Sequence, residues 1–236
     1  MVPKSVNNCK GPFITLVFKI LIYYMCFNYK VSLFTFSIGI LFSILLILYG
    51  NEKYKIENEV TGIFFIFISL IQFMDFLFWI DIKNKMGINK ITTIVGPLLN
   101  AAQPLILFLI KYFYYTLDIF WLNPIVILNA IYLMYFVAGY ARFLSNGKLT
   151  TTPNSSGHLS WPWIKYFNSY FYVILLAINI FYLFDFNYAL FVFILTYVCL
   201  IMSARYFSYN VGELWCFFAS FIPLFVFIFS LTYPTK

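Results

Sequence analysis

The stretch ISLIQFMDFLFWIDIK, residues 68–83, sets one carboxylate, Asp75, inside an otherwise apolar run. Insertion into the middle of a bilayer is unfavourable for Asp by ~3 kcal/mol, and by less towards a helix end. Two chemistries would hold such a group. It is either a carboxyl hydrogen-bonded within a helix bundle, or part of a proton- or cation-linked site. Its neighbours extend the pattern. Ser69, Gln72, Asp75 and Trp79 are spaced three, three and four apart, on one face of a helix. Thr93, Gly96, Asn100 and Gln103 are spaced three, four and three apart within TTIVGPLLNAAQPLI. Asn129, Tyr132 and Tyr135 mark a third face, Asn168, Tyr172 and Asn179 a fourth, and Glu213, Cys216, Ser220 and Pro223 a fifth.

Gln72, Asn100, Gln103 and Asn129 are therefore expected to converge with Asp75 on a bundle interior, because polar atoms in lipid find partners only inward. The layer they form is either interhelical glue, at ~0.6 to 2 kcal/mol per hydrogen bond, or a small polar cavity. Gly96 and Ala101 permit close helix approach. Pro97 and Pro104 release backbone carbonyls and can kink the helix that carries them. Near one end of the bundle Arg142, Arg205 and Glu213 form a charge cluster, and either arginine could pair with Asp75 or Glu213.

No catalytic set accompanies these residues. A lone histidine, His158, in a polar loop reads as solvated and leaves a zinc hydrolase without ligands. There is no Gly-rich phosphate loop, no nucleophile elbow and no potassium-filter signature. The last apolar segment has no Lys for a retinal Schiff base. The cysteines, Cys9, Cys26, Cys199 and Cys216, have no framework or ligand spacing and read as free thiols. No cofactor or metal is expected.

The elements that must position the polar residues follow from composition. The chain is 63% hydrophobic and 10% charged, with mean hydropathy +0.89, where a soluble domain is about half apolar and about a quarter charged. Its apolar runs are continuous over about a bilayer's length, so it reads as an all-α integral membrane bundle, not a barrel of short alternating strands. Seven transmembrane helices are expected at 31–50, 60–80, 91–110, 119–141, 166–184, 186–204 and 214–235, with a tight turn around Asp185. Residues 1–30 form an N-terminal cytoplasmic segment. Its apolar part, 12–30, reads as an interfacial amphipathic helix with Lys10, Lys19 and Lys30 towards headgroups, or alternatively as an eighth span. The Ser-, Thr-, Asn-, Gly- and Pro-rich stretch 142–165 reads as a mobile cytoplasmic loop, with Trp161 and Trp163 in an aromatic belt.

Seven spans put Lys4, Lys10, Lys19, Lys30, Lys83, Lys85, Lys90, Arg142, Lys148, Lys165 and Arg205 on one side, eleven of the fifteen basic residues. Lys53, Lys55, Lys111 and Lys236 fall on the other, with Glu52, Glu57, Glu59, Asp118 and Asp185. The positive-inside bias then places the N-terminus in the cytoplasm and the C-terminus outside or in a lumen. The sequon at Asn154 faces the cytoplasm in that orientation, where it would carry no glycan. The basic side suits anionic lipid headgroups and calls for no nucleic acid. Composition leaves the oligomeric state open.

GIFFIFISLIQFMDFLFWID, TTIVGPLLNAAQPLILFLIKY and GELWCFFASFIPLF resemble stretches of an uncharacterised multi-pass membrane family of large DNA viruses that infect protists. The resemblance implies a viral origin and a host or virion membrane, and carries over no activity or site residue. Four roles are compatible with the residues: a structural membrane protein, a small transporter or channel with a polar path around Asp75, a lipid-modifying enzyme, and a seven-helix sensor.

Overall fold

The computed structural model describes residues 28–115, 123–154, 158–206 and 211–232. The described chain is almost wholly helical. It comprises α1 (Tyr29–Tyr49), α2 (Lys55–Ile80, preceded by a 3-10 turn), α3 (Ile88–Asn100), α4 (Gln103–Tyr114), α5 (Pro124–Asn146), α6 (Ser169–Phe181), α7 (Phe186–Tyr206), α8 (Val211–Ala219) and α9 (Ile222–Thr232). The only sheet among the described residues is a short antiparallel hairpin, β1 (Thr152–Pro153) with β2 (Leu159–Ser160). The expected interfacial helix, and its alternative as an eighth span, lie outside the described residues except for 28–30. There Asn28 caps α1, accepting from the amides of Lys30 and Val31.

The first helix is packed the reverse of a helix in a soluble bundle. α1 buries Ser32, Thr35, Gly39 and Ser43, the small and polar side of the helix, while Phe34, Leu41, Leu48 and other large apolar side chains are exposed. Without a hydrophobic drive between helices, close approach of small residues supplies the contact energy. α1 and α2 show how close. A Cβ added at Gly39 would stand 2.1 Å from Ser69 Oγ, and one at Gly62 would stand 2.5 Å from Ile47 Cγ1. These two helices form an antiparallel pair that runs beside α8 and α9.

Five helical stretches are long and apolar enough to cross a membrane: α1, α2 with its leading turn, α5, α7, and α8 with α9. A sixth is counted if α3 and α4, bent by 56° at their break, are one span. The remaining expected span, the fifth along the chain, is shorter than its apolar run. Over 166–184 the chain is α-helical only in α6, 13 residues or ~20 Å, against ~30 Å of hydrocarbon. Two local features set its limits. Asn168 caps its start, accepting from the amides of Tyr170 and Phe171, and Lys111 takes up carbonyls at its end.

Both proline-bearing segments break. The α3–α4 interruption falls at Ala101–Ala102, with Pro104 in the first turn of α4, where a missing N–H leaves no bond unmade. The α8–α9 interruption falls at Ser220–Phe221, just ahead of Pro223. A continuous span over 214–235 is thus two helices within its described part.

The segment expected as a mobile loop is packed against the bundle. α5 itself runs on to Asn146. Beyond the hairpin, Trp161 and Trp163 are buried instead of lying in an interfacial belt, and they stack on one another at 5.1 Å between ring centroids. His158, expected in solvent, is also buried. Two clamps fix the segment. The Asn89 side-chain amide pairs with the Thr151 backbone in both directions, at 3.0 and 2.9 Å, and Thr93 Oγ1 meets Thr151 Oγ1 at 3.0 Å. A Cβ on Gly96 would stand 2.4 Å from the Trp163 ring, so that glycine opens the seat for the indole.

Candidate functional site

The buried polar groups are best built up from the two breaks. At the first, the Ala101 carbonyl, no longer serving a continuous helix, accepts from Tyr132 Oη at 2.7 Å. The Pro104 carbonyl accepts from Asn179 Nδ2 at 2.9 Å. Asn179 and Asn129 exchange a reciprocal pair of amide bonds at 3.1 and 3.0 Å. α5 and α6 therefore supply the groups that satisfy the interrupted span, which is how a broken helix survives at membrane depth.

A single side-chain contact links the two interrupted segments. Asn100, the last residue of α3, directs Nδ2 at Cys216 Sγ on α8, 4.0 Å away. Gln103, the first residue of α4, accepts through Oε1 from Tyr172 Oη on α6. The Tyr172 ring meets Trp215, the neighbour of Cys216, edge to face at 6.0 Å. On the α2 side, Gly39 of α1 packs against both Ser69 and the Ser220 carbonyl at the second break. One turn further along α2, Gln72 Oε1 accepts from Thr35 Oγ1 at 2.8 Å.

Of the residues singled out by sequence, Gln72, Asp75, Gln103 and Asn129 are buried and Asn100 is half-buried. Each takes a partner from an element other than its own: Thr35, Trp161, Tyr172, Asn179 and Cys216 respectively. The layer is distributed, and not fully satisfied. Gln72 Nε2, Gln103 Nε2, Ser69 Oγ and Trp79 Nε1 are buried polar atoms with no hydrogen-bond partner among the described residues, each a substantial penalty unless a water or ligand meets it.

Asp75 receives Trp161 Nε1 at 3.3 Å. Of the charge cluster expected near it, Arg142 and Arg205 are exposed, and Glu213 falls in α8 with its side chain outside the described set. One partner comes from the packed hairpin segment, whose indole Trp161 also lies against Gly212 at the start of α8.

Lys111 is the residue sequence reasoning misplaced. Counted as a basic group in an external loop, it lies inside α4 and is fully buried. Its Nζ donates to the carbonyls of Asn179 at 2.5 Å, Ile180 at 3.1 Å and Tyr182, and sits 3.4 Å from the centre of the Phe184 ring. Three acceptors match the three N–H donors of an ammonium group. Beyond Tyr182 the chain reverses through Leu183 in the left-handed region, φ 67°, and Asp185 caps α7 by accepting from the amides of Asn187 and Tyr188. The positive charge thus ends α6 within the apolar layer, satisfying orphan carbonyls and opposing the helix dipole. A sequence signal exists in retrospect: a single Lys flanked by LFLI and YFYY has little solvent to reach.

Another missed carboxylate is Asp81. It accepts from the amides of Lys85 (2.7 Å), Met86 (3.2 Å) and Asn89 (3.2 Å), closing the turn that launches α3. Burial works to raise its pKa, but the surrounding amides outweigh this and hold the carboxyl below its ordinary value.

Among the described residues no group of three His, Cys, Asp or Glu side chains is arranged to hold a metal ion. Compared with family models, curated proteins and solved structures, the chain matches none, and the reading of the site rests on its own geometry.

Proposed function

We propose that this chain is a seven-span membrane protein that passes a small solute through the polar layer between its two interrupted helices. The observation that carries this reading is the contact of Asn100 with Cys216 between the two interrupted segments, beside Nε2 groups of Gln72 and Gln103 that meet no partner among the described residues. Interrupted helices at mid-membrane are where transport proteins place binding sites, because unwound backbone and polar side chains are tolerated only when buried or lining a cavity. A purely structural bundle gains nothing from unmet donors. That alternative draws its support from the Asn129–Asn179–Pro104 set, in which reciprocal bonds pair the amides closely. A lipid-modifying enzyme around Asp75 has less support, since Arg142 and Arg205 are exposed and the carboxyl lies beneath Trp161.

In this reading α6 is the remaining span, its length completed by partly buried irregular chain at one end and by Lys111 at the other. The N-terminus and the hairpin face the cytoplasm and the C-terminus the outside or a lumen. Burial of Lys111 strengthens the charge argument, because it removes a basic residue from the outer surface. A host or virion membrane is the proposed setting, on the resemblance alone.

The test is thiol accessibility in sealed vesicles. Gln72→Cys and Gln103→Cys, made in a background lacking the native cysteines, should react with small water-soluble methanethiosulfonates. Failure of both to react while the protein remains folded would leave a dry core and the structural alternative. Cysteines at 55 and 148 should label from opposite sides.

A further inference from the structure

We infer that the end of the bundle closed by the hairpin segment is a docking surface for anionic phospholipid, held by its headgroup phosphate and by the first part of its acyl chains together. The inference stands apart from the proposed path, and neither depends on the other. Its basis is what the fold gathers at one end. Lys83, Lys85 and Lys90 stand in the turn after α2 and the first residues of α3, and Arg142, Lys148 and Lys165 at the end of α5 and in the segment that follows. All six are exposed.

Two contacts join these groups across long stretches of chain. Asn89, the neighbour of Lys90, is clamped to Thr151, three residues beyond Lys148. Gly139, one turn before Arg142, lies so near the segment that an added Cβ would stand 3.0 Å from the Tyr166 carbonyl. The Phe143 ring meets the Tyr166 ring at 5.7 Å, which keeps the end of α5 beside Lys165. Basic groups distant in sequence thus share one packed platform, and an anion that binds there need not first order a loop. The acids of this end, Asp75, Asp81 and Glu213, leave it basic even when all are counted as ionised. Exposed Glu52 and Asp185 belong to the opposite end, where Tyr188 of α7 donates to Asn58 of α2.

Basic charge alone would suit any polyanion, and the apolar side chains beside it decide for lipid. Met86 follows Lys85 and is 59% exposed, Ile91 follows Lys90 and is 65% exposed, and Ile164 precedes Lys165 and is 42% exposed. A soluble acidic peptide or a nucleic acid would leave these side chains in water. A phospholipid offers a phosphate and hydrocarbon within one molecule, and a lysine spans the same boundary, with its stem along the chains and its ammonium at the headgroup. In the proposed orientation this end faces the leaflet that carries the anionic lipids.

The full chain in phosphatidylcholine vesicles, with a trace of spin-labelled phosphatidylglycerol or phosphatidylcholine, provides the test. Electron spin resonance reads the fraction of each label immobilised at the protein surface. Wild type should prefer phosphatidylglycerol by about threefold or more, and the ratio should fall towards one in about 1 M salt, where the screening length is ~3 Å. Replacing Lys85, Lys90, Lys148 and Lys165 together by Gln should bring the ratio close to one, and replacing them by Arg should retain it. Lys53→Gln with Lys55→Gln, at the opposite end, should leave it unchanged. A wild-type ratio of one overturns the docking surface, as does loss of preference in the arginine variant or an equal loss in the Lys53 and Lys55 variant. Polyglutamate, an oligonucleotide or glycerol phosphate, freeze-thawed into the vesicles, should not displace the labelled phosphatidylglycerol. Displacement by either polymer assigns the face to a soluble polyanion, and displacement by glycerol phosphate removes the acyl contribution; each overturns the lipid assignment. Thiol labelling at positions 72 and 103 is read separately, so failure of this inference leaves the path standing.

Discussion

The two ends of the bundle solve one problem in opposite ways. At the end where α2 finishes, the buried charge is acidic, and its partner is a side chain, Trp161, brought in from 86 residues away by a packed irregular segment. At the other end the buried charge is basic, and its partners are backbone carbonyls at the end of α6, together with the Phe184 ring. The first arrangement brings an irregular segment to a helix that runs on. The second uses a side chain to let a helix stop. The difference shows that in an apolar layer a charge is accommodated by whatever unmet dipoles lie nearest, and that a helix shorter than the membrane becomes tolerable once its last carbonyls are met.

The comparison is broken most directly at Lys111. Lys111→Met keeps the aliphatic stem but strands carbonyls at the end of α6. At ~1–3 kcal/mol for each buried group left unsatisfied, a loss of about 3 kcal/mol or more is expected in denaturant unfolding of the detergent-solubilised protein. A variant as stable as the wild type would show that the α6 terminus does not depend on the ammonium.

At the opposite end the effects should be smaller. Gly96→Ala places a methyl where the Trp163 ring now sits, and overpacking of this kind is unfavourable by ~1–3 kcal/mol. It should also shift the tryptophan emission as the indole pair is displaced. Trp161→Phe keeps an aromatic ring but removes the donor to Asp75, a bond in the range of ~1.5 to 3 kcal/mol when its acceptor is charged. Asp75→Asn retains an acceptor and should lose less than Trp161→Phe. The reverse order would mean that the indole contributes chiefly by packing.

The smallest expected effect is at Asp81, and it is a pH effect. Its folded pKa lies below the ordinary carboxyl value, so its contribution is present above the unfolded pKa of about 3.9 and is lost as pH falls through the folded value. The stability gap between wild type and Asp81→Asn should therefore be constant from pH 5 to 7 and close in more acid solution. A gap independent of pH down to 2 would remove the amide-held carboxylate from the account.

Particular residues show how far the sequence could be read. The faces bearing Gln72, Gln103 and Asn129 were legible because helical spacing repeats polar residues on one side and lipid forces that side inward. Pro97 and Pro104 announced a kink, although not that the chain would part at Ala101. The small-residue side of α1, with Ser32, Thr35, Gly39 and Ser43 buried, was present in the sequence and went unread. The partners were not legible. Trp161 carries no local signal that it will reach Asp75, and Lys111 looked external because a span measured along the chain ended one residue before it.

Sequence alone determined that this chain is built of long apolar helices with polar residues gathered on particular faces. Hydropathy and periodicity are sums over neighbouring residues, and no fold is needed to evaluate them. Tertiary structure decided which polar group meets which, where two helices break, and that one lysine belongs inside. Those outcomes depend on distances between segments far apart in the chain, and in an apolar layer the hydrogen bond goes to the group that is near in space.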